Sequence, residues 1–337
     1  MKVSIIIPNY NHAKYLKQRI DAVLNQTFDD YEVIILDDCS TDDSRAIIEE
    51  YRQHDKVSSI IFNETNSGGV FRQWIRGLSL ASGQYVWIAE SDDCTDPYFL
   101  EKTLQIMEAD PNLKMVFTDS YIINEDNHII DRNSLDKESA FNALKKDNYI
   151  INSDNLTRYL FLDMIITNAS SALIDKAALL KIDSDILKTF KNTGDRFVYI
   201  GIAQYYGIRF LDEPLNYMRS HSGNTTKMSL KNGNIFRDRL EVFSYYLDGV
   251  TLNDEAKLNL RTFFEQSYFD FVDFCDFTKL DLLQKRLKDK KIITIFQYTL
   301  YNMYNSTFNH FLKKQSLIIR RTCQFLQRKL SLGRNPI

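Results

Sequence analysis

The first ninety residues repeat one pattern: a short β-branched run, a polar break, an amphipathic stretch of helical period, then another β-branched run. Parallel strands joined by crossover helices produce that alternation, so the sequence predicts an α/β protein on a mostly parallel sheet flanked by helices. Val3–Ile7 reads as a buried strand, Ala13–Leu24 as a helix with Ile20, Val23 and Leu24 on one face, and Val33–Leu36 as a second buried strand. A helix over Asp43–Arg52 begins beneath hydroxyl and carboxylate caps. Strand Ser59–Phe62, loop Glu64–Gly69, a helix carrying Trp74, Leu78 and Ala81, and strand Tyr85–Ala89 follow. Farther on, Tyr98–Ala109 reads as helix, Met115–Thr118 as strand, residues 124–154 as a long polar loop or lid, Asp195–Tyr206 as helix and Phe210–Leu215 as strand. Beyond about Ile235 only helical periodicity remains, which divides the chain into residues 1–232 and a helical region over 233–337.

In an open parallel sheet the ligand crevice lies at the carboxyl ends of the strands. Those ends are acidic and polar here. Strand one delivers Asn9, Tyr10 and Asn11, strand two Asp37 and Asp38, strand three Asn63 and the run Asn66-Ser67-Gly68-Gly69, and strand four Glu90, Ser91, Asp92 and Asp93. Carboxylates at that density repel one another unless a cation neutralises them, and hard oxygen ligands select Mg²⁺ or Mn²⁺. A helix start needs one cap, whereas three carboxylates directly after Val86-Trp87-Ile88-Ala89 exceed that need. The first strand-to-helix turn, Pro8-Asn9-Tyr10-Asn11, contains no glycine, which argues against a dinucleotide-binding turn, and no Gly-Lys-Ser/Thr occurs. A nucleotide-sugar site fits better than an NAD site.

Composition narrows the partners. A net charge of −3 over 337 residues supplies no global field for nucleic acid. Cys39, Cys94, Cys275 and Cys323 lie far apart without a Cys-x-x-Cys pair, so neither a zinc ribbon nor a disulfide framework is expected and a reducing cytoplasm is the simplest home. No stretch approaches the roughly 18–20 apolar residues of a spanning helix.

The segments Val3–Asn11, Val23–Thr27, Ile35–Asp42 and Glu90–Asp93, taken together and in order, resemble the family 2 glycosyltransferases. The resemblance covers roughly residues 1–225. It implies a GT-A, Rossmann-like fold and inverting transfer of a sugar from a nucleotide-diphosphate donor to an acceptor hydroxyl, with Mn²⁺ or Mg²⁺. By that resemblance Pro8, Tyr10, Asn11, Asp37, Asp38, Asn66, Gly69, Glu90 and Ser91 belong to the donor site. Tyr10 would pack on the base, Asp38 with Asp37 would accept a hydrogen bond from it, uracil fitting best, and Glu90 would hold the ribose. Glu90 stands where the family usually has aspartate. Asp92, with Asp93 nearby and His221 as neutral imidazole, would hold the metal, and Arg219 would meet the diphosphate as a planar fork.

Inverting transfer needs a base for the acceptor hydroxyl, and Asp195, opening a helix after Gly194, is the candidate. Arg196, beside it, is expected to influence acceptor choice or the base, and Ser170 and Ser171 are candidate sugar contacts. The Gln-x-x-Arg-Trp signature of processive synthases is absent, which favours one sugar per visit.

After Phe308 basic residues stand unopposed among apolar ones at helical spacing. A segment of this type over 311–332 suits peripheral contact with an anionic bilayer, against a solvated tail or an oligomer helix. Membrane contact would suit a lipid-linked glycan acceptor at the inner face of the cell membrane and a place in bacterial surface-polysaccharide assembly. Two other readings stay open: a nucleotidyltransferase-like enzyme using the same acidic rim, and a non-catalytic nucleotide-binding scaffold.

Overall fold

Val3–Asn9 (β1) and Tyr31–Asp37 (β2) are buried along their whole length and pair in parallel with Asn9 opposite Asp37, so their polar ends meet at one edge. The computed structural model describes residues 1–221, 225–250, 252–294 and 297–298. Val57–Phe62 (β3) pairs in parallel with β2, and Tyr85–Ile88 (β4) with β1. Next come the short Cys94–Thr95 (β5), the long Leu113–Ile123 (β6), Ile129–Arg132 (β7), Ile150–Ile151 (β8), Ala172–Asp175 (β9) and Gly207–Arg219 (β10). The sheet runs β3-β2-β1-β4-β9-β6-β10-β5, with β7 on β6 and β8 on β10. It is an α/β sheet with a parallel body, as expected, but β9 runs antiparallel between β4 and β6.

Helices cover the parallel body because their apolar faces match it. Helix Ala13–Leu24 buries Leu16, Ile20 and Val23, and helix Phe99–Ala109 buries Phe99, Leu100, Leu104 and Met107. Helix Val70–Leu80 approaches so closely at Gly77 that an added Cβ would lie 2.5 Å from Ile6 Cγ2.

Two local expectations change. Residues 124–154 are not a loop: they hold β7, helices Asn133–Asp136 and Glu138–Lys146, and β8. Phe141 and Leu144, at i and i+3, are buried against a polar background, and the fully buried Asp119 carboxylate pairs with Arg132 and accepts from Ser134 N. The second helix spans Ser44–Glu49, and Asp43 does not cap it; Asp42 accepts from Ser44 N and Ala13 N, tying it to the first helix.

The described residues form two compact units, one from those within 1–231 and 248–250, the other from residues 232–247 and the described residues from 252. In the second unit helices Asn234–Tyr246, Asp254–Phe274 and Phe277–Asp289 bury Leu240, Phe243, Leu260, Phe264, Tyr268, Phe271, Leu280 and Leu283. The basic segment 311–332 lies outside the described residues. Among the described residues no helix is long and apolar enough to cross a membrane.

Candidate active site

Pairing of β5 with β10 sets Cys94 opposite Tyr217. The acidic run after β4 is thereby laid against the end of β10, and Asp92 Oδ2 meets His221 Nε2 at 3.0 Å. A third group joins them. His12, at the turn that follows β1, has its Nδ1 2.8 Å from Ser91 Oγ, and its ring centroid is 5.9 Å from that of His221. One donor atom from each of His12, Asp92 and His221 lies within 4.8 Å of the others. Sequence reasoning missed His12; its one signal was its place just beyond a strand end.

The backbone that builds this rim is strained. Asn11 (φ 57) and Cys39 (φ 65) occupy the left-handed region, which non-glycine residues adopt at a cost of order 1–3 kcal/mol and which clusters at functional sites. The two turns hold each other: Asn11 N donates to Ser40 Oγ at 2.9 Å and Asn11 Oδ1 accepts from Thr41 N at 2.8 Å.

The electrostatics oppose full ionisation of the rim. Burial, with Asp92 and Asp93 beside it, pushes Glu90 up to about 8, and burial with Asp92 pushes Asp93 up to about 6. Burial also works on Asp92, but the hydrogen bond from His221 and the adjacent imidazoles outweigh it and hold Asp92 below the usual carboxylate range. Burial keeps His12 below its ordinary value, against Asp92 and helped by His221, which favours the neutral, metal-binding imidazole. One buried cation close to the cluster is unusual. The Arg19 guanidinium is fully buried, stacks 5.0 Å from the Trp87 ring, and among the described residues has no hydrogen-bond acceptor for any of its three nitrogens. Two imidazoles and a carboxylate converging amid surplus acid are a donor set that fits a divalent cation.

Other predicted residues take different places. Tyr10 is 48% exposed at the end of β1, open to a ligand, whereas Pro8 is buried within the strand. Asp37 is fully buried and turned inward, accepting from Asn9 Nδ2, Ser40 N and Arg45 Nε. Asp38 Oδ1 accepts from Asn63 Nδ2, Ser67 N and Gln73 Nε2, while Oδ2 takes Ser67 Oγ and retains acceptor capacity. Asn66 braces the same loop, donating to Asp38 O and accepting from Gly68 N, and Gly69 precedes the third helix. Glu90 Oε1 accepts from Trp74 Nε1 at 3.2 Å.

Asp93 faces the protein, away from the trio, because Asn168 Nδ2, Ser170 Oγ and Arg219 N all donate to its carboxylate. Ser170 is likewise buried and committed, and Ser171 donates to Asn168 O. Arg219 is buried over the Tyr15 ring, its guanidinium donating to Asp92 O, Asn124 O and Gln18 Oε1, so its fork is spent on joining β10 to the rim. Asp195 lies in the first turn of helix Gly194–Ala203, partly exposed. An added Cβ at Gly194 would meet the Phe71 ring at 2.8 Å, which pins this helix start to the first turn of helix Val70–Leu80. Arg196 points inward and donates to Phe161 O.

The family model of glycosyl transferase family 2 matches residues 4–182. The chain is 37% identical over 110 residues to an uncharacterised glycosyltransferase of a Nostoc species, covering 32% of this chain and 33% of that one. It is 33% identical over 112 residues to glycosyltransferase GlyG of Streptococcus pneumoniae, covering 33% and 37%, and 38% identical over 109 residues to the poly(ribitol-phosphate) β-N-acetylglucosaminyltransferase TarS of Staphylococcus aureus, covering 31% and 18%. The chain thus spans well under half the length of these relatives. By fold, the crystal structure of S. aureus TarS 1-349 in complex with UDP superposes with a TM-score of 0.64 at 17% identity, covering 98% of this chain and 92% of that one. The mannosyltransferase PcManGT of Pyrobaculum calidifontis, in complex with GDP-Man and Mn²⁺, gives 0.52 at 14% identity, covering 94% and 88%. The acidic rim at the strand ends therefore sits in a GT-A fold, and the chain belongs to glycosyl transferase family 2.

Proposed function

We propose that the protein is a metal-dependent, inverting, non-processive glycosyltransferase that moves one sugar from a nucleotide-diphosphate donor, UDP-linked, to an acceptor hydroxyl. The observation that carries this reading is the convergence of Asp92 and His221 at 3.0 Å on the rim where Tyr10 and Asp38 also emerge. TarS, of the same fold, binds UDP and UDP-GlcNAc.

In this reading the exposed Tyr10 ring packs on the base and Asp38 Oδ2 accepts from it, while Asn11 and Asp37 shape the two turns that carry them and Asn66 and Gly69 shape the loop after β3 that braces Asp38. Glu90, raised toward its neutral form, holds the ribose. Asp92 and His221 hold a divalent cation, with Asp93 and Arg219 bracing them from behind. A cation there supplies positive charge against the diphosphate as it leaves. Asp195 takes the acceptor proton as the acceptor oxygen bonds to the anomeric carbon and the bond from that carbon to the diphosphate oxygen breaks, releasing nucleoside diphosphate. The acceptor is a glycan or lipid-linked glycan of surface-polysaccharide assembly, met at the cytoplasmic face of the membrane, and the basic segment 311–332 is the element proposed to make that contact.

Product analysis after incubation with UDP-sugars and an acceptor panel tests the reading. Transfer gives UDP and a glycoside of inverted anomeric configuration. Pyrophosphate as product would instead identify nucleotidyl transfer.

A further inference from the structure

We infer that His12 is a third protein ligand to the cation, completing a His12–Asp92–His221 site that accepts first-row transition ions and discriminates against Mg²⁺. The inference rests on the cation site of the proposed function and goes beyond it in ligand set and metal choice. Asp92 and His221 alone would offer one oxygen and one nitrogen, a pair that leaves Mg²⁺ and Mn²⁺ weakly distinguished. A second imidazole changes the chemistry, because Mg²⁺ prefers oxygen ligands and dehydrates reluctantly, whereas transition ions accept imidazole readily.

Three features place His12 in this role. Its donor atom lies within 4.8 Å of those of Asp92 and His221. Ser91 Oγ lies 2.8 Å from Nδ1, so the tautomer with Nδ1–H donating to Ser91 leaves the other ring nitrogen, which has no hydrogen bond among the described residues, unprotonated for a metal. Its backbone is delivered by the left-handed Asn11, held from both sides by Ser40 and Thr41, a strained turn that aims the next residue across the strand ends. Asp93, the neighbour of Asp92 in sequence, is committed to Asn168, Ser170 and Arg219, so the third ligand comes from another strand end.

Mn²⁺ and Mg²⁺ binding to the full chain, with and without UDP, tests this by calorimetry, together with pulsed electron paramagnetic resonance of bound Mn²⁺ to detect nitrogen ligands. Wild type is expected to prefer Mn²⁺ and to show two histidine nitrogens. His12→Ala should leave one, weaken Mn²⁺ at least about tenfold, and change Mg²⁺ by less than about threefold. His12→Gln, which keeps a polar side chain beside Ser91, gives the same result if the alanine variant folds poorly. Mn²⁺ binding that is unchanged in both variants, or a wild type that binds Mg²⁺ as tightly as Mn²⁺, would overturn the third ligand and leave the proposed function standing. A wild type that binds neither ion would overturn both.

Discussion

Asp92 Oδ2 and His221 Nε2 lie 3.0 Å apart although 129 residues separate them, because β5 and β10 pair antiparallel and lay the two strand ends side by side. His221→Ala should therefore weaken Mn²⁺ by at least about tenfold, as loss of an oriented ligand does. Calorimetry on a variant whose circular dichroism matches wild type checks it.

Asp195→Asn preserves shape and removes the proposed base. Turnover should fall by roughly 10²–10⁴-fold, while UDP and Mn²⁺ bind as in wild type. Loss of UDP binding in this variant would assign Asp195 to the donor site instead.

Arg19 is a buried positive charge beneath the rim with no hydrogen-bond acceptor among the described residues. It repels any cation bound above it. Arg19→Met, of similar length and able to pack on Trp87, should bind Mn²⁺ severalfold more tightly. Weaker binding would mean that the guanidinium organises the carboxylates.

Glu32 on β2 makes a prediction about acid. Burial opposes its charge, but Ser4 Oγ, Ser82 N and Ser82 Oγ all donate to Oε1 and hold the group down at about 2, below its ordinary 4.5. A folded value below the unfolded one contributes stability that is fully present above about 4.5 and lost as pH falls toward 2. Glu32→Gln should cost about 1–3 kcal/mol at neutral pH and flatten the loss of stability between pH 4.5 and 2, as measured by urea unfolding.

Gly77→Ala would ordinarily help a helix by about 1 kcal/mol. Here the new methyl overlaps Ile6, and overpacking of about 1–3 kcal/mol should win. Ile6→Ala, which removes Cγ1, Cγ2 and Cδ1, should show a favourable coupling with Gly77→Ala in a double-mutant cycle.

The parallel body of the sheet was legible because β1, β2 and β4 are buried on both faces and read as unbroken apolar runs. The antiparallel β9 was not, since four residues inside the apolar stretch 156–174 and just beyond it carry no period of their own. Residues 124–154 misled through composition: two buried side chains, Phe141 and Leu144, anchor a helix that is otherwise polar. At the site, charge at a strand end reads alike whether it faces ligand or protein. Asp37, Asp93 and Arg219 therefore looked like binding groups, and only their inward hydrogen bonds show that they build the rim. His12 was invisible for the opposite reason, because a lone histidine becomes a ligand candidate only when tertiary pairing brings residues 92 and 221 to it.

In the proposed function this rim binds a nucleoside diphosphate through a cation held by Asp92. Titration of UDP into wild type and Asp92→Ala, with and without Mn²⁺, tests it most directly. Binding to wild type is expected only when Mn²⁺ is present, and it should be lost in the variant. UDP binding that needs no cation and survives Asp92→Ala, or no UDP binding at all, would contradict it.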